Sequence, residues 1–453
     1  MNDSDSDLKR AYDALSAKAT LYGLLFNYYD GRQPLVYSTE RLRAAFQSLD
    51  ARFNENWCRV VVDSELNRIG LESWAVGDDE TLSAALSDLM TETGLVHDLD
   101  DTHLAALVTG ESFVVAWPDE TTGRPTAFYN DPRLCHVWYD ALNPRAKRFA
   151  AKWWAGDDGL QYLTLYYPDR LEYYASDKVA TEVTSHKAFV PMTPPTAPNP
   201  YGIVPVFHFR LEKRVNKGLL VDVLPMQDAI NKLFADMMVT AEYGAYPQRY
   251  VISIAGVQGK LRNAPNEVWD VPAGDGMGQQ TSVGEFSAAS LTTYLEAMRD
   301  LAQTIGIVTA TPAHYFTATS APPSGDALMV MEAPLTSKVQ RHINQRFYPV
   351  WQEVGAFLLL LDGVTVGAQD VTPVFRDVAS IQPRAQAEIR QFSVNAGIPL
   401  VTVLSDEGWT PAEIDQMTQD KEAEQATATA GLGQALLAQQ RQFDQGMGQG
   451  GKQ

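Results

Sequence analysis

Two stretches in the middle of the chain decide the fold: Val221–Ala245, VDVLPMQDAINKLFADMMVTAEYGA, and Ser287–Ile307, SAASLTTYLEAMRDLAQTIGI. In both, apolar residues recur every three or four positions, which predicts two long amphipathic helices. We expect Pro247 to end the first helix and Ser287 to cap the second. The predicted apolar stripes are Met226, Ile230, Leu233, Phe234, Met237, Met238 and Ala241, then Leu291, Leu295, Met298, Leu301 and Ile305. A two-helix arm of this kind leaves apolar surface half exposed unless further copies cover it.

A short insertion separates the two helices, and a third long helix follows them. The insertion is rich in Gly and Pro, with strands predicted at Tyr250–Ile254 and Glu267–Val271. The chain after Gly306 is interrupted by prolines, and helical spacing resumes over Ser324–Leu361. That third helix would be about 55 Å long, and Pro334 and Pro349 predict kinks in it.

Helices and strands alternate with turn signals in the rest of the chain. Helices are predicted at Ala11–Tyr29, Asn54–Arg68, Asp100–Thr109 and Arg384–Asn395, and a capping box at Thr410–Glu413 predicts one more. Strands are predicted at Ser112–Trp117, Cys135–Tyr139, Phe149–Trp154, Tyr162–Tyr167, Leu171–Tyr174 and Pro205–Phe209. Pro191–Pro200 holds five prolines and is predicted to be a loop. The last dozen residues are expected to be disordered. Together these elements predict an α+β fold with an antiparallel sheet.

Composition excludes several classes of protein. The chain of 453 residues carries 36 Lys and Arg against 56 Asp and Glu, a net charge of −20. Such an acidic chain is a poor static binder of nucleic acid, although acidic walls would let DNA slide past. Cys58 and Cys135 lie far apart, which argues against a disulfide scaffold or a zinc site and fits a reducing compartment. The N-terminus is too polar for a signal peptide, and Val354–Leu361 is too short to span a membrane.

No motif with the spacing of a catalytic or metal site is present. Gly256–Leu261 departs from the P-loop pattern at two positions, so we predict no nucleotide site. The seven histidines form no H-E-x-x-H pair, and we expect neither a metal nor a cofactor. Two alternatives to a structural subunit stay open. One is a hydrolase that uses acids such as Asp140 and Asp169, and the other is a monomeric adaptor protein without a channel.

Several segments, in order along the chain, resemble one protein family. They are Asn27–Gly31, Asn54–Arg68, Leu165–Asp169, Leu224–Lys232, Tyr246–Arg249, Pro322–Leu328 and Asn395–Pro399. Together they resemble the portal proteins of tailed double-stranded DNA phages, in the branch of the siphophage portals. The resemblance covers roughly residues 20–415.

The resemblance implies the portal fold, with wing, stem, clip and crown. The wing would comprise residues 1–218 and, later, residues 326–382, which hold the third helix and a following strand. The stem helices would be 219–246 and 287–308, separated by the clip at 247–286. The tunnel-loop region would be 309–325, and the crown with the C-terminal tail 383–453.

The resemblance also implies a function and partners. The chain would form a dodecameric ring at one capsid vertex, in the virion and earlier in the host cytoplasm. It would nucleate capsid assembly and conduct double-stranded DNA during packaging and ejection. It would bind the terminase large subunit, a head-completion or adaptor protein, and the major capsid and scaffolding proteins, and would be no enzyme. The residues expected near DNA are Thr317, Thr319, Ser320, Pro322, Pro323 and Ser324, and those expected to contact partners are Lys260, Arg262 and Trp269.

Overall fold

A computed structural model describes most of the chain. The described residues are 3–33, 55–119, 121–179, 183–212, 217–244, 249–252, 282–285, 290–317, 324–379, 383–406, 409 and 414–421. The chain divides into two compact units, residues 1–378 and 379–453. Helices and antiparallel sheets occur together in the first unit, which confirms the α+β class.

Most helices of the first unit overlap the predicted ones, although the first begins at Asp3 instead of Ala11 and the helix Glu80–Glu92 was not predicted. They are α1 (Asp3–Tyr29), α2 (Trp57–Leu66), α3 (Glu80–Glu92), α4 (Leu95–Thr109), α5 (Leu224–Gly244), α6 (Thr292–Thr309), α7 (Gly325–His342) and α8 (Tyr348–Leu361). Gly110 ends α4 with a φ of 96°, a conformation that glycine adopts without strain. The predicted cap Ser287 lies outside the described residues, but Ser290 and Leu291 are described and not helical, so this helix begins at Thr292, later than predicted.

The predicted third helix is present from Gly325 to Leu361. The Ser324 hydroxyl caps it by accepting the backbone N–H of Ala327 at 3.4 Å. A π-helical turn, Ile343–Phe347, joins α7 to α8. Pro349 is the second residue after this turn, and because proline has no N–H to donate, a widened turn is a common adjustment there. Kinks at Pro334 and Pro349 stay predictions.

The strands form separate antiparallel sheets. They are β1 (Leu71–Val76), β2 (Glu111–Pro118), β3 (Pro125–Asn130), β4 (Cys135–Tyr139), β5 (Lys147–Ala155), β6 (Gln161–Tyr166), β7 (Arg170–Ser176), β8 (Phe189–Pro198), β9 (Val206–Arg210), β10 (Arg249–Ile252), β11 (Ser282–Glu285) and β12 (Val371–Phe375). The largest sheet has the order β4-β5-β6-β7-β8, and a smaller one has the order β3-β2-β9. Two further pairs are β1 with β12 and β10 with β11. The β1–β12 pair joins Val76 to Val371, about 300 residues later in the chain.

The structure contradicts the prediction of a loop at Pro191–Pro200. Most of that stretch is strand β8, which pairs with β7 from Ser176↔Phe189 to Arg170↔Pro198. β8 is an edge strand of its sheet, and an edge strand tolerates proline because one of its sides faces no neighbour. Within the predicted clip, β10 confirms most of the strand predicted from Tyr250. The strand predicted at Glu267–Val271 lies outside the described residues.

The main core of the first unit centres on α8. Trp351 is fully buried, its ring centroid lies 4.8 Å from that of Phe209, and its indole N–H donates to His103 Nε2 at 3.0 Å. Burial lowers the pKa of His103 to about 3, so this histidine is neutral at neutral pH. Smaller clusters lie under the sheets, where Leu8, Ala11 and Leu15 of α1 join Phe149, Leu163 and Leu165.

A buried ionic network ties α1 to the three-stranded sheet. Glu111 on β2 is 1% exposed, and its carboxylate binds Lys18 and Tyr22 of α1 and His208 of β9. Burial would raise the pKa of Glu111, but the hydrogen bond with His208 and the charge of Lys18 outweigh it and hold that pKa well below its ordinary value. Burial lowers the pKa of His208 to about 4. The network therefore joins a carboxylate to a cationic lysine within the fold.

The second unit is described in its helical parts. These are α9 (Pro383–Asn395), α10 (Leu400–Asp406) and residues 414–421. α9 confirms the predicted helix from Arg384, and the backbone after it turns at Gly397 with a φ of 95°. The predicted helix start at Thr410–Glu413 and the C-terminal tail lie outside the described residues.

Candidate ring-contact and channel surface

The paired helices α5 and α6 form the first part of the candidate surface. They pack against each other, and the hydroxyls of Thr240 and Tyr294 lie 3.2 Å apart. The inner face of α6 consists of Met298, Ala302 and Ile305, which recur at helical spacing and are buried. Each helix thus covers part of the other.

Apolar side chains are exposed at both ends of α6, on its outer face at Ile307 and at the start of the helix on the same face as Met298. Ile307 is 81% exposed and Val308 about half exposed, while Leu291 and Leu295 are exposed at the other end. Of the predicted stripe, Met298 and Ile305 are therefore buried, Leu301 is half-buried, and Leu291 and Leu295 are exposed, with no described residue covering them fully. Apolar area left in water favours association, by roughly 25 cal/mol for each Å² that is later buried.

The start of α7 presents a second apolar patch. Met329, Val330 and Met331 are exposed, Val330 to 75%, whereas Leu335 one turn later is fully buried. Helical spacing placed Leu291 and Leu295 in a predicted apolar stripe but did not predict the exposure of Ile307 and Val308 or of the start of α7, although the sequence carries a signal for it. Apolar runs such as Leu328–Met331 break the helical period, so one core-facing side cannot hold them all. We define Leu291, Leu295, Ile307, Val308, Met329, Val330 and Met331 as the uncovered apolar surface.

The predicted channel residues lie between the two patches in sequence. Thr317 is half-buried, and its hydroxyl donates to the carbonyl of Ala313 at 3.2 Å. Ser324 is exposed and caps α7. Thr319, Ser320, Pro322 and Pro323 lie outside the described residues, as do the predicted partner contacts Lys260, Arg262 and Trp269. The structure therefore describes the two flanks of the predicted tunnel loop and leaves the roles of these residues as predictions.

The acids considered for a hydrolase serve local structure. Asp140 accepts the backbone N–H groups of Leu142 and Asn143 in a turn, and Asp169 pairs with the adjacent Arg170. Within the described ranges, no group of three or more His, Cys, Asp or Glu side chains is arranged to hold a metal ion. The described helices also include none with the length and apolar character to cross a membrane.

Comparison with known proteins places the chain in a family. The family described as "Phage portal protein, SPP1 Gp6-like" matches residues 8–427. The chain belongs to this phage portal protein family. Portal proteins of two mycobacteriophages are similar to it. That of Mycobacterium phage L5 is 23% identical over 433 residues, covering 90% of this chain and 86% of that protein. That of Mycobacterium phage D29 is 24% identical over 411 residues, covering 83% and 80%.

Membership of the portal family confirms the resemblance drawn from the sequence segments. Portal proteins are structural components of the virion capsid and act as homo-oligomers. The chain is accordingly a subunit of a capsid-associated homo-oligomer, and an apolar surface left uncovered on the single chain is what such a subunit requires.

Proposed function

We propose that twelve copies of this chain form a closed ring at one capsid vertex, through which double-stranded DNA is packaged and later ejected. The observation that carries the proposal is the uncovered apolar surface on α6 and α7, where Ile307 and Val330 are largely exposed. Family membership supports the same assembly.

A closed ring would bury this apolar surface in every copy. In a head-to-tail contact each copy offers one patch and receives a different patch from its neighbour, and rotation closes the series without a free end. The proposed stem helices α5 and α6 would stand side by side around the ring. The uncovered apolar surface would then lie between copies, where exclusion of water stabilises the contact.

The channel would be lined to pass DNA without holding it. We propose that Thr317, Thr319, Ser320, Pro322, Pro323 and Ser324 face the channel, because these side chains are small and uncharged. The net charge of −20 supports weak rather than tight contact with phosphates. Binding of DNA to the ring should therefore be weak at physiological salt, and tight binding that falls steeply as salt rises would contradict this view.

We propose partner contacts at the clip, residues 247–286. Lys260, Arg262 and Trp269 combine positive charge with an aromatic ring, a composition common at protein interfaces. The terminase large subunit would bind there during packaging, and a head-completion or adaptor protein afterwards. The ring would contact scaffolding and major capsid proteins as it nucleates the shell, first in the host cytoplasm. Nucleotide hydrolysis would belong to the terminase.

Native mass spectrometry tests the ring directly. Twelve copies of the 50.0 kDa chain would give an assembly of about 600 kDa. Val330→Asp should reduce the ring population at least about tenfold, because a charge cannot be buried without a partner. Val179→Asp is the matched control, since Val179 is 72% exposed and lies away from α6 and α7 in sequence. A stable 50.0 kDa monomer at high concentration would instead favour an adaptor without a channel.

A further inference from the structure

Two mostly buried charge clusters join the C-terminal turn of α2 to one face of α7. In the first, Glu65 is 1% exposed and pairs with Lys338, while His342 Nδ1 lies 2.9 Å from its other carboxylate oxygen. Burial raises the pKa of Glu65, but the hydrogen bond with His342 and the charge of Lys338 outweigh it, so this pKa lies below its ordinary value. Lys338 also donates to the carbonyl of Thr309, the last residue of α6, at 2.9 Å.

The second cluster gathers both flanks of the predicted tunnel loop. Arg68 pairs with Glu332 and donates to the Tyr315 hydroxyl at 3.1 Å. Glu332 also accepts the Tyr315 hydroxyl at 3.2 Å, and His314 Nε2 lies 3.1 Å from the same carboxylate oxygen. His314 and Tyr315 precede the loop in sequence, whereas Glu332 follows it. One carboxylate therefore holds the two flanks together, and Arg68 holds that carboxylate.

The signs of these charges specify how α7 lies on α2. Glu332 and Lys338 face Arg68 and Glu65, so each charge meets its opposite. If α7 slid one way along α2, Glu332 would approach Glu65, and if it slid the other way, Lys338 would approach Arg68. In either case like charges would meet in a largely dry contact, which disfavours these two registers relative to the observed one.

We propose that Arg68 and Glu332, supported by Glu65 and Lys338, are positioning residues that lock the register of α7 and so set where both flanks of the tunnel loop leave the core. The inference rests on the proposed channel, because the loop matters only if the chain surrounds DNA. It assigns to α2, a helix remote in sequence from the loop, the task of holding the loop flanks.

Hydrogen exchange of the purified full chain tests the lock. Glu332→Gln and Arg68→Gln each remove one charge at little change in size. Each should speed exchange of the backbone amides in residues 313–317 and 325–331 by about tenfold or more, because the local opening costs less free energy. Amides of β2 and α8 should change by less than about twofold, since those elements do not depend on the lock. The double variant should exchange no faster than the faster single variant, because both substitutions break the same pair.

Arg59→Gln provides the matched control. Arg59 lies on the same helix and pairs with Asp63, but its side chain is 62% exposed and the pair does not reach α7. Exchange in the loop flanks should stay at the level of the unsubstituted chain. The inference fails if the flanks of Glu332→Gln exchange at the original rate, if exchange rises uniformly over the chain, or if the two substitutions act additively.

The outcome is distinguishable from failure of the proposed channel. Exchange reports on the lock in the chain itself, whereas the mass of the assembly reports on the ring. A chain that forms no ring but shows the local, non-additive response would keep the lock and refute the channel. Rings of full mass whose variants lack the local, non-additive change in hydrogen exchange would support the channel and refute the lock.

Discussion

The region around Glu111 and the region around Ile307 differ in which side chains they bury. At Glu111 a charged group is withdrawn from water and surrounded by Lys18, Tyr22 and His208 of the same chain. At Ile307 an apolar side chain is 81% exposed to water, and the described part of the chain leaves most of it uncovered. Burying the Glu111 carboxylate costs more free energy, yet it is fully compensated by partners. Burying the Ile307 side chain would be favourable, yet this side chain stays exposed.

This contrast separates what the chain completes alone from what it leaves to its neighbours. The sheets and α8 have a closed core with large side chains such as Trp351, Phe149 and Phe207. The outer faces of α6 and the first turns of α7 have no such closure within the described residues. Substitutions in the first region should therefore change the stability of the single chain, and substitutions in the second should change association.

The largest effect on the single chain is expected for Trp351→Ala. The substitution leaves a cavity in the main core and removes the hydrogen bond to His103, which should lower the free energy of unfolding by about 3–5 kcal/mol. Denaturant titration of the monomer measures this loss. Trp351→Phe keeps most of the volume and should cost clearly less. Equal losses for the two variants would show that filling this cavity is not what stabilises the core.

Glu111→Gln should have the next largest effect. The amide keeps the shape but leaves Lys18 without its counter-charge in a buried site, which should cost about 2–3 kcal/mol. Urea unfolding at pH 7 gives the difference. Glu72→Gln is a suitable control, because the Glu72–Arg376 pair is exposed on both sides and should contribute less than about 1 kcal/mol. A smaller loss of unfolding free energy for Glu111→Gln than for Glu72→Gln would show that the buried network does not stabilise the single chain.

Acid should weaken the closed region through its buried histidines. The pKa of His103 is lowered to about 3, below its value in the unfolded chain, so its contribution is complete above about pH 6.5 and declines as pH falls. Between pH 7 and pH 5 this residue alone should cost about 2 kcal/mol, because the unfolded chain takes up a proton that the folded chain refuses. Unfolding measured across this range should show a shallower decline in His103→Gln, which does not titrate. An unchanged slope in that variant would assign the acid sensitivity to other groups.

The smallest effect on the single chain is expected for Ile307→Ser. Because the side chain is already in water, the free energy of unfolding of the monomer should change by less than about 0.5 kcal/mol. Its effect should instead appear in assembly, as a higher protein concentration needed for half-maximal ring formation by light scattering. A large loss of monomer stability would place Ile307 in the closed region and remove the contrast.

Local signals in the sequence predicted much of the fold, and distant pairing explains most of what they missed. The helix end at Gly110 follows from glycine conformation, and the strands between Ser112 and Tyr174, except β3, follow from runs of β-branched and aromatic residues. The strand β8 was missed because proline content predicts a loop, whereas its place at a sheet edge is decided by the whole fold. β1 was missed since its partner lies so far along the chain.

The sequence predicted that an uncovered apolar surface exists, but not which residues form it. Two amphipathic helices with too few partners indicated assembly, and the family comparison agrees. Which apolar residues stay outside depends on how α6 and α7 are rotated against the core, and helical spacing alone does not fix that rotation. The positions of Met329 and Val330 became apparent only with the buried position of Leu335.

The pairing of β1 with β12 also has a consequence for the order in which the chain is made. Ribosomal synthesis delivers Leu71 early and Phe375 late, and nearly everything in the first unit lies between them. Contacts that span so much sequence form slowly, because a long loop must close before they are gained. A nascent chain that stops before Val371 cannot form this pair, even though α6 and α7, which carry the uncovered apolar surface, have already been synthesised. Because β1 and β12 pair late, α6 and α7 are exposed on a chain that has not finished folding. During this period, unfinished subunits can associate prematurely.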